Sequence, residues 1–163
     1  MADPVATAAS RRGFLLRSAG FAVGAGILPL LPLAAARATP QAMQEAIRKI
    51  IGEGTLQHGR VKLDVPPLVE NGNTVPLTVA VESPMTAADH VKTVHIVNEK
   101  NPQPQVISVT IGPRAGRATL STRIKLADSQ QIVAVAEMSD GSFWSGSADV
   151  IVTIAACVED LVR

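Results

Sequence analysis

The sequence predicts an all-β protein, an immunoglobulin-like antiparallel β-sandwich of about seven strands with a short N-terminal helix. Apolar residues form 47% of the 163-residue chain but aromatic residues only 2%, so the core must consist of Val, Ile, Leu and Ala. A core rich in valine suits strands better than helices. Seven short segments alternate between apolar and polar residues and are separated by turn signals, which is typical of a sandwich.

The first 38 residues are expected to form a twin-arginine signal peptide that is cleaved after Ala38. The pair Arg11-Arg12 precedes an apolar stretch, and Ala36 and Ala38 are the small residues that a signal peptidase recognises. The alternative is a transmembrane anchor, since residues 19–36 are long enough to consider, but two prolines interrupt them. The signal predicts a bacterial protein that folds before export and works in the periplasm.

The charge of the remaining chain argues against nucleic-acid binding. The first 38 residues contain four arginines and one aspartate, so 11 basic and 13 acidic residues remain, a net charge of −2. This part has neither a basic stripe nor enough aromatic side chains to stack bases.

A single domain is expected over residues 39–154, followed by a tail over residues 155–163. Thr39 and Pro40 are the cap and first residue of a helix, whose apolar residues recur at spacings of three and four until Gly52 ends it. The periodicity then changes to two. The expected strands are 61–65, 75–82, 91–98, 106–111, 118–126, 132–138 and 148–154.

Two glycine-containing segments are expected to be turns. Asn71-Gly72 lies between expected strands and indicates a tight turn. The segment 112–117 is basic and contains two glycines, so a phosphate-binding loop is the alternative there. It lies between strands rather than before a helix, which favours a hairpin turn.

Three histidines are the candidate metal ligands or catalytic bases: His58, expected in a loop after the helix, and His90 and His95, which flank the start of a strand. None has the spacing of a metal site, so no metal or other cofactor is expected. Asp89 adjoins His90, but no nucleophile-elbow sequence accompanies them. Surface or half-buried histidines therefore remain the favoured interpretation.

Cys157 is the one cysteine of the sequence and lies in the tail after the last expected strand. A lone cysteine in an oxidising compartment cannot form an internal disulfide, so it is a candidate for a reactive thiol or an intermolecular pairing. The alternative is a small buried residue, because a free cysteine packs as a hydrophobe.

Seven short stretches of the expected domain carry a further signal. They are Val65-Pro66-Pro67, Glu70-Asn71-Gly72-Asn73, Val75-Pro76-Leu77, Ser83-Pro84-Met85-Thr86, Ala88-Asp89-His90-Val91, Glu99-Lys100-Asn101-Pro102 and Met138-Ser139-Asp140-Gly141-Ser142-Phe143-Trp144. Together these stretches resemble the SoxY family of bacterial thiosulfate oxidation. The resemblance covers nearly all of the expected domain, and the twin-arginine signal agrees with it.

The resemblance implies a sulfur carrier that is not itself an enzyme. It implies a heterodimer with a second sandwich subunit, SoxZ, and a carrier cysteine on a C-terminal arm, which maps to Cys157 here. The haem protein SoxXA would join thiosulfate to this thiol, the hydrolase SoxB would remove sulfate, and a sulfane dehydrogenase would oxidise the remaining sulfur.

The tail departs from the family, whose arm usually reads Gly-Gly-Cys-Gly-Gly. Here Ala155-Ala156 precede the cysteine, and Val158 and the acidic pair Glu159-Asp160 follow it. All of these residues are bulkier than glycine. The negative charge of Glu159 and Asp160 disfavours a thiolate at Cys157. A paralogue that binds SoxZ but has lost or altered carrier chemistry is therefore the main alternative, ahead of an unrelated exported binding module. Trimming of the tail after Cys157 is a further hypothesis.

Overall fold

The structure, a computed structural model, describes residues 39–154, so the signal region and Cys157 lie outside the described residues. Helix α1 (Pro40–Ile51) begins as expected, because the Thr39 hydroxyl accepts a hydrogen bond of 3.2 Å from the Ala42 amide. Gly52 ends it with a φ of +56°, a conformation that favours glycine. No helix within the described residues is long and apolar enough to cross a membrane.

Nine strands follow, and they form two sheets. The larger sheet has the order β1-β9-β8-β5-β6, and β3 also pairs with β9, while the smaller sheet has the order β2-β4-β7. The strands are β1 (Leu56–His58), β2 (Val61–Asp64), β3 (Leu68–Asn71), β4 (Val75–Val81), β5 (Val91–Asn98), β6 (Gln105–Thr110), β7 (Ala118–Ile124), β8 (Gln130–Met138) and β9 (Phe143–Ile154).

The core lies between the sheets and is aliphatic, as the composition predicts. It contains buried residues of both sheets, among them Leu77, Val79, Ile96 and Ile132. A second, smaller cluster lies on the outer face of the larger sheet, where α1 packs its apolar side against Val97, Val133 and Val135. The expected β-sandwich is therefore confirmed, and the helix covers part of one outer face.

The strand count and the pairing differ from the expectation. The two additional strands, β1 and β3, are only three and four residues long and mostly exposed, so they lack an apolar alternation. Both pair in parallel with β9, whereas hairpin-length links had predicted antiparallel pairing alone. Strand β9 also begins at Phe143 rather than at residue 148.

The tight turn predicted at Asn71-Gly72 is confirmed, and it connects β3 to β4 in the other sheet. Two other local expectations need correction, the hairpin turn at residues 112–117 and the loop position of His58. The segment 112–117 contains a short 3₁₀ helix (Pro113–Ala115) and likewise connects the two sheets, between β6 and β7. His58, expected in a loop, is the last residue of β1.

Gly146 explains why β9 can cross the inner face of β2. A Cβ atom at this position would overlap the Val61 carbonyl oxygen and lie 3.1 Å from the Val61 carbonyl carbon. Because the obstacle is backbone, a side chain could be accommodated only if the two strands moved apart.

We expect Gly146→Ala to lower the free energy of unfolding by about 1–3 kcal/mol, the usual effect of overpacking. Gly112→Ala is the matched control, because no atom lies within 4 Å of its would-be Cβ and its φ of −109° suits any residue. Urea unfolding of both variants tests this expectation. Equal stability of the two variants would contradict the close approach of β9 to Val61.

Candidate functional site

The candidate site is the end of the sandwich at which β9 finishes, here called the tail end. Three connecting segments, residues 72–74, 99–104 and 125–129, meet there because β4 begins, β5 ends and β8 begins at this end. Ile154 is the last described residue of β9, and the chain continues from it toward Cys157. The tail therefore leaves from a surface that these three segments shape.

Strand β9 is held on both sides up to its last residues. On one side β3 pairs with it from Ile151 to Ile154, and the Ile151 amide donates to the Pro67 carbonyl at 2.9 Å. The Thr153 hydroxyl adds a 3.1 Å bond to the Glu70 carbonyl. The last residues of β9 are therefore fixed to β3 by both backbone and side-chain hydrogen bonds.

On the other side of β9, a serine hydroxyl hydrogen-bonds to the backbone of β9 beyond the first residue of β8. Strand β8 starts at Gln130, opposite Val150, so its backbone does not accompany β9 any further. The Ser129 hydroxyl accepts a hydrogen bond of 2.9 Å from the Val152 amide and lies 3.4 Å from the Val152 carbonyl oxygen. It thus satisfies the backbone groups that β8 leaves without a strand partner.

A network around Asn101 positions the segment that contains Ser129. The side-chain oxygen of Asn101, Oδ1, accepts hydrogen bonds from the Ala127 amide at 2.9 Å and from Gln130 Nε2 at 3.0 Å. Its Nδ2 donates to the Lys125 carbonyl at 2.8 Å. The Gln130 side chain is buried and also accepts from the Lys100 amide at 2.7 Å. One asparagine therefore connects the segment 99–104 to the segment 125–129.

Asp128 lies on the solvent side of this network. The Ser129 amide, which donates to its carboxylate at 2.6 Å, lowers the pKa of Asp128 below its ordinary value, and Lys100 at 3.2 Å acts in the same direction. The carboxylate is exposed, so solvent weakens this ion pair. The hydrogen bond to the Ser129 amide joins adjacent residues and is exposed as well.

The three histidines lie apart and form no common site. His58 Nδ1 is 3.1 Å from the Ser145 hydroxyl, and His95 Nδ1 is 2.7 Å from the Ser108 hydroxyl. Burial lowers the pKa of His95, and the charge of Glu137 partly opposes that change. Among residues 39–154, no three His, Cys, Asp or Glu side chains are placed to hold a metal ion.

His90 and Asp89 do not form a catalytic pair either. The His90 ring donates through Nδ1 to the Thr86 carbonyl at 3.1 Å, whereas the Asp89 carboxylate lies 3.5 Å from Arg60. The Arg60 guanidinium in turn lies 5.4 Å from the ring centre of Trp144. These residues fix the end of the sandwich opposite the tail end, which is a structural role.

A groove of about 550 Å³ lies between α1 and the edge strand β6. Its walls are mainly small or apolar, with Ala42 and Ala46 from the helix and Pro102, Pro104 and Ile107 from the strand side. The charged residues Glu45 and Lys49 of the helix also line it.

A sequence profile of the family described as sulfur oxidation protein SoxY matches residues 47–157. The match covers all nine strands, and its last residue is Cys157. The chain belongs to the SoxY family. The family resemblance inferred from the sequence motifs is thereby confirmed, whereas the role of Cys157 stays a prediction because this residue lies outside the described residues.

Comparison with solved structures agrees with the family. The sulfur carrier protein SoxY from Chlorobium limicola f thiosulfatophilum is 27% identical with a TM-score of 0.59, over 70% of this chain and 98% of that chain. A superoxide reductase (neelaredoxin) from Ignicoccus hospitalis is 17% identical with a TM-score of 0.52, over 58% and 80%. The second likeness shows the fold alone. No curated protein sequence matches the chain.

The sequence motifs contributed to this site differently. Glu99-Lys100-Asn101-Pro102, noted as SoxY-like, supplies Asn101, the centre of the tail-end network. Sequence reasoning missed Ser129, whose only signal was its place beside Asp128 just before a strand. It also missed the pairing of His95 with Ser108, since no motif relates these two residues.

We expect Asn101→Ala to lower the free energy of unfolding by about 2 kcal/mol, because it leaves the half-buried Ala127 amide without an acceptor and removes one of the two acceptors of the buried Gln130 Nε2. Asp128→Asn is the control in the same segment and should cost less than about 1 kcal/mol, since its ion pair is exposed. Urea unfolding of the two variants would contradict the network if Asn101→Ala cost no more than the control.

Proposed function

We propose that this SoxY protein is a periplasmic sulfur carrier of the Sox thiosulfate-oxidation system, and that Cys157 covalently holds the sulfur. The observation that carries the proposal is the family match, which extends through the lone cysteine and ends on it. The export signal expected over residues 1–38 supports the periplasmic location.

The proposed chemistry uses the thiol as a handle. The Cys157 sulfur and the outer sulfur of thiosulfate form a new S–S bond, the thiol proton leaves, and the two electrons released pass to the haem protein SoxXA. SoxB then adds water, which releases sulfate and leaves a persulfide on Cys157. A sulfane dehydrogenase oxidises that remaining sulfur. Because the sulfur stays covalently bound throughout, no reactive intermediate diffuses away.

The tail end provides a firm base for such a handle. Ser129 and β3 hold β9 up to its end, and Cys157 is only three positions after Ile154. At about 3.3–3.6 Å per residue, the chain can place the Cα atom of Cys157 no farther than about 11 Å from that of Ile154. A tether this short on a fixed strand would give the thiol a high effective concentration at any enzyme docked against the tail end.

A heterodimer with a SoxZ-like subunit is part of the proposal. The family relationship motivates it, and the groove between α1 and β6 offers one surface suited to contact with another chain. Strand β6 is an edge strand, so its outer backbone groups are free to pair with a strand of a partner. Contacts with SoxXA, SoxB and the dehydrogenase would be transient.

A second candidate is a paralogue that binds the SoxZ-like subunit without carrying sulfur. The composition of the tail favours it, since Glu159 and Asp160 place negative charge close to the thiol. Such charge raises the pKa expected of a cysteine and repels an anionic substrate such as thiosulfate. The two candidates differ in whether Cys157 can be loaded.

We expect the purified heterodimer, incubated with thiosulfate and SoxXA, to gain one adduct on the chain that contains Cys157. A thiol reductant should remove this adduct. Intact-mass spectrometry measures the gain, and peptide mapping should place it on Cys157. Cys157→Ser is the control and should gain nothing.

Absence of any adduct on the wild-type chain, under conditions that load a SoxY with a glycine-rich arm, would favour the paralogue. If a variant with Glu159→Gln and Asp160→Asn were then loaded, the acidic pair would be the cause. Failure to co-purify with a SoxZ-like subunit from the periplasm would contradict the heterodimer.

A further inference from the structure

Two large apolar side chains are exposed side by side near the end of β9. Leu68 on β3 is 60% exposed, Ile151 on β9 is 59% exposed, and the two residues are direct partners in the parallel register. They are the only large apolar residues that are so exposed within residues 39–153. We call Leu68 and Ile151 the apolar pair.

The apolar pair lies on the same outer face as α1 but beyond the reach of the helix. Val133 and Val135 face the helix, and their register partners on β9 are Ser147 and Ser145. Because side chains alternate along a strand, Ile151 projects to this same face. Helix α1 therefore covers one part of the outer face and leaves the part nearest to the tail uncovered.

Acidic residues border the apolar pair along both strands. Glu70 lies two positions after Leu68, and Asp149 lies two positions before Ile151, so both project to the same face. Both are exposed. The surface thus has an apolar centre with negative charge on two sides, and Ile151 lies only six positions before Cys157.

We propose that the apolar pair and its acidic border form the docking surface for the enzyme that loads an anionic sulfur compound onto Cys157. This inference rests on the proposed function. An enzyme that binds such an anion carries positive charge at its entrance, which complements Glu70 and Asp149. An enzyme bound here would have its entrance within reach of the thiol.

The size of the surface fits a transient encounter rather than a permanent subunit contact. Two side chains that are about 60% exposed present roughly 150 Å² of apolar area. A stable interface buries about 800 Å² on each partner, so the apolar pair alone is far too small for one, and it suits the anchor of a short-lived contact. A carrier that must leave each enzyme after reaction requires contacts of this kind.

The test measures binding separately from chemistry. We measure the dissociation constant between SoxXA and a heterodimer that carries Cys157→Ser. Because the thiol is absent, no sulfur can be loaded during the measurement. We expect the additional pair of substitutions Leu68→Thr and Ile151→Thr to raise the dissociation constant at least about tenfold. Threonine is β-branched, a shape that suits a strand, and circular dichroism checks that the fold is intact.

The charge border has its own test and control. Glu70→Gln with Asp149→Asn should weaken binding several-fold at low salt and little at high salt, because screening already removes the attraction there. Glu82→Gln is the matched control, since Glu82 is an exposed acid that follows β4 at the end of the sandwich opposite the tail end. It should leave the dissociation constant unchanged.

Four results would overturn the proposal. The first is an unchanged dissociation constant in the threonine variant, and the second is no binding of the Cys157→Ser heterodimer to SoxXA. The third is a heterodimer that dissociates on substitution of the apolar pair, which would assign the surface to the SoxZ-like subunit. The fourth is a loss of self-association, which would assign it to a second copy. If binding depends on the apolar pair but the unaltered chain, with Cys157 present, gains no sulfur adduct from thiosulfate and SoxXA, only the proposed function is refuted.

Discussion

The hydrogen bonding of β9 is the constraint on which the rest of the structure depends. This strand of 12 residues pairs with β8 on one side and with β1 and then β3 on the other. It contributes Val150 and Val152 to the inner core, and it leads directly into the tail. A segment that is paired on both edges and buried on one face has few ways to move without unfolding the sheet. The position from which the tail departs is therefore set by the fold as a whole.

The tail end extends this constraint past the last strand pair. Ser129 replaces the backbone of β8 opposite Val152, and Asn101 holds the segment that presents Ser129. Both rely on side-chain hydrogen bonds at half-buried positions, where an unpaired backbone amide would cost about 1–3 kcal/mol. The acidic border and the apolar pair lie on the outer face of this same region. A fixed base, a short tether and an exposed contact surface together are what a carrier needs to present its thiol to several enzymes in turn.

Local pattern predicts the helix, the aliphatic core and most strands, because cap residues and apolar alternation act over a few positions. It fails for β1 and β3, since three or four mostly exposed residues give no alternation and become strands only by pairing with β9. It also misses the first half of β9, where Gly146 interrupts the pattern so that Val61 can approach. Asn101 could be noted from its motif, but its bonds to residues 26 and 29 positions away depend on the tertiary fold. The thiol chemistry of Cys157 rests on sequence and family alone.

Amide hydrogen exchange along β9 tests most directly whether the strand is fixed to its end. The amides of Ile151 and Val152 donate to the Pro67 carbonyl and the Ser129 hydroxyl, both at 2.9 Å. We predict that both exchange as slowly as the amides of β8, through global unfolding only. In Ser129→Ala the Val152 amide should exchange faster while that of Ile151 stays protected. Exchange of both amides at the rate of exposed loops in the unaltered protein would contradict a fixed base for the tail.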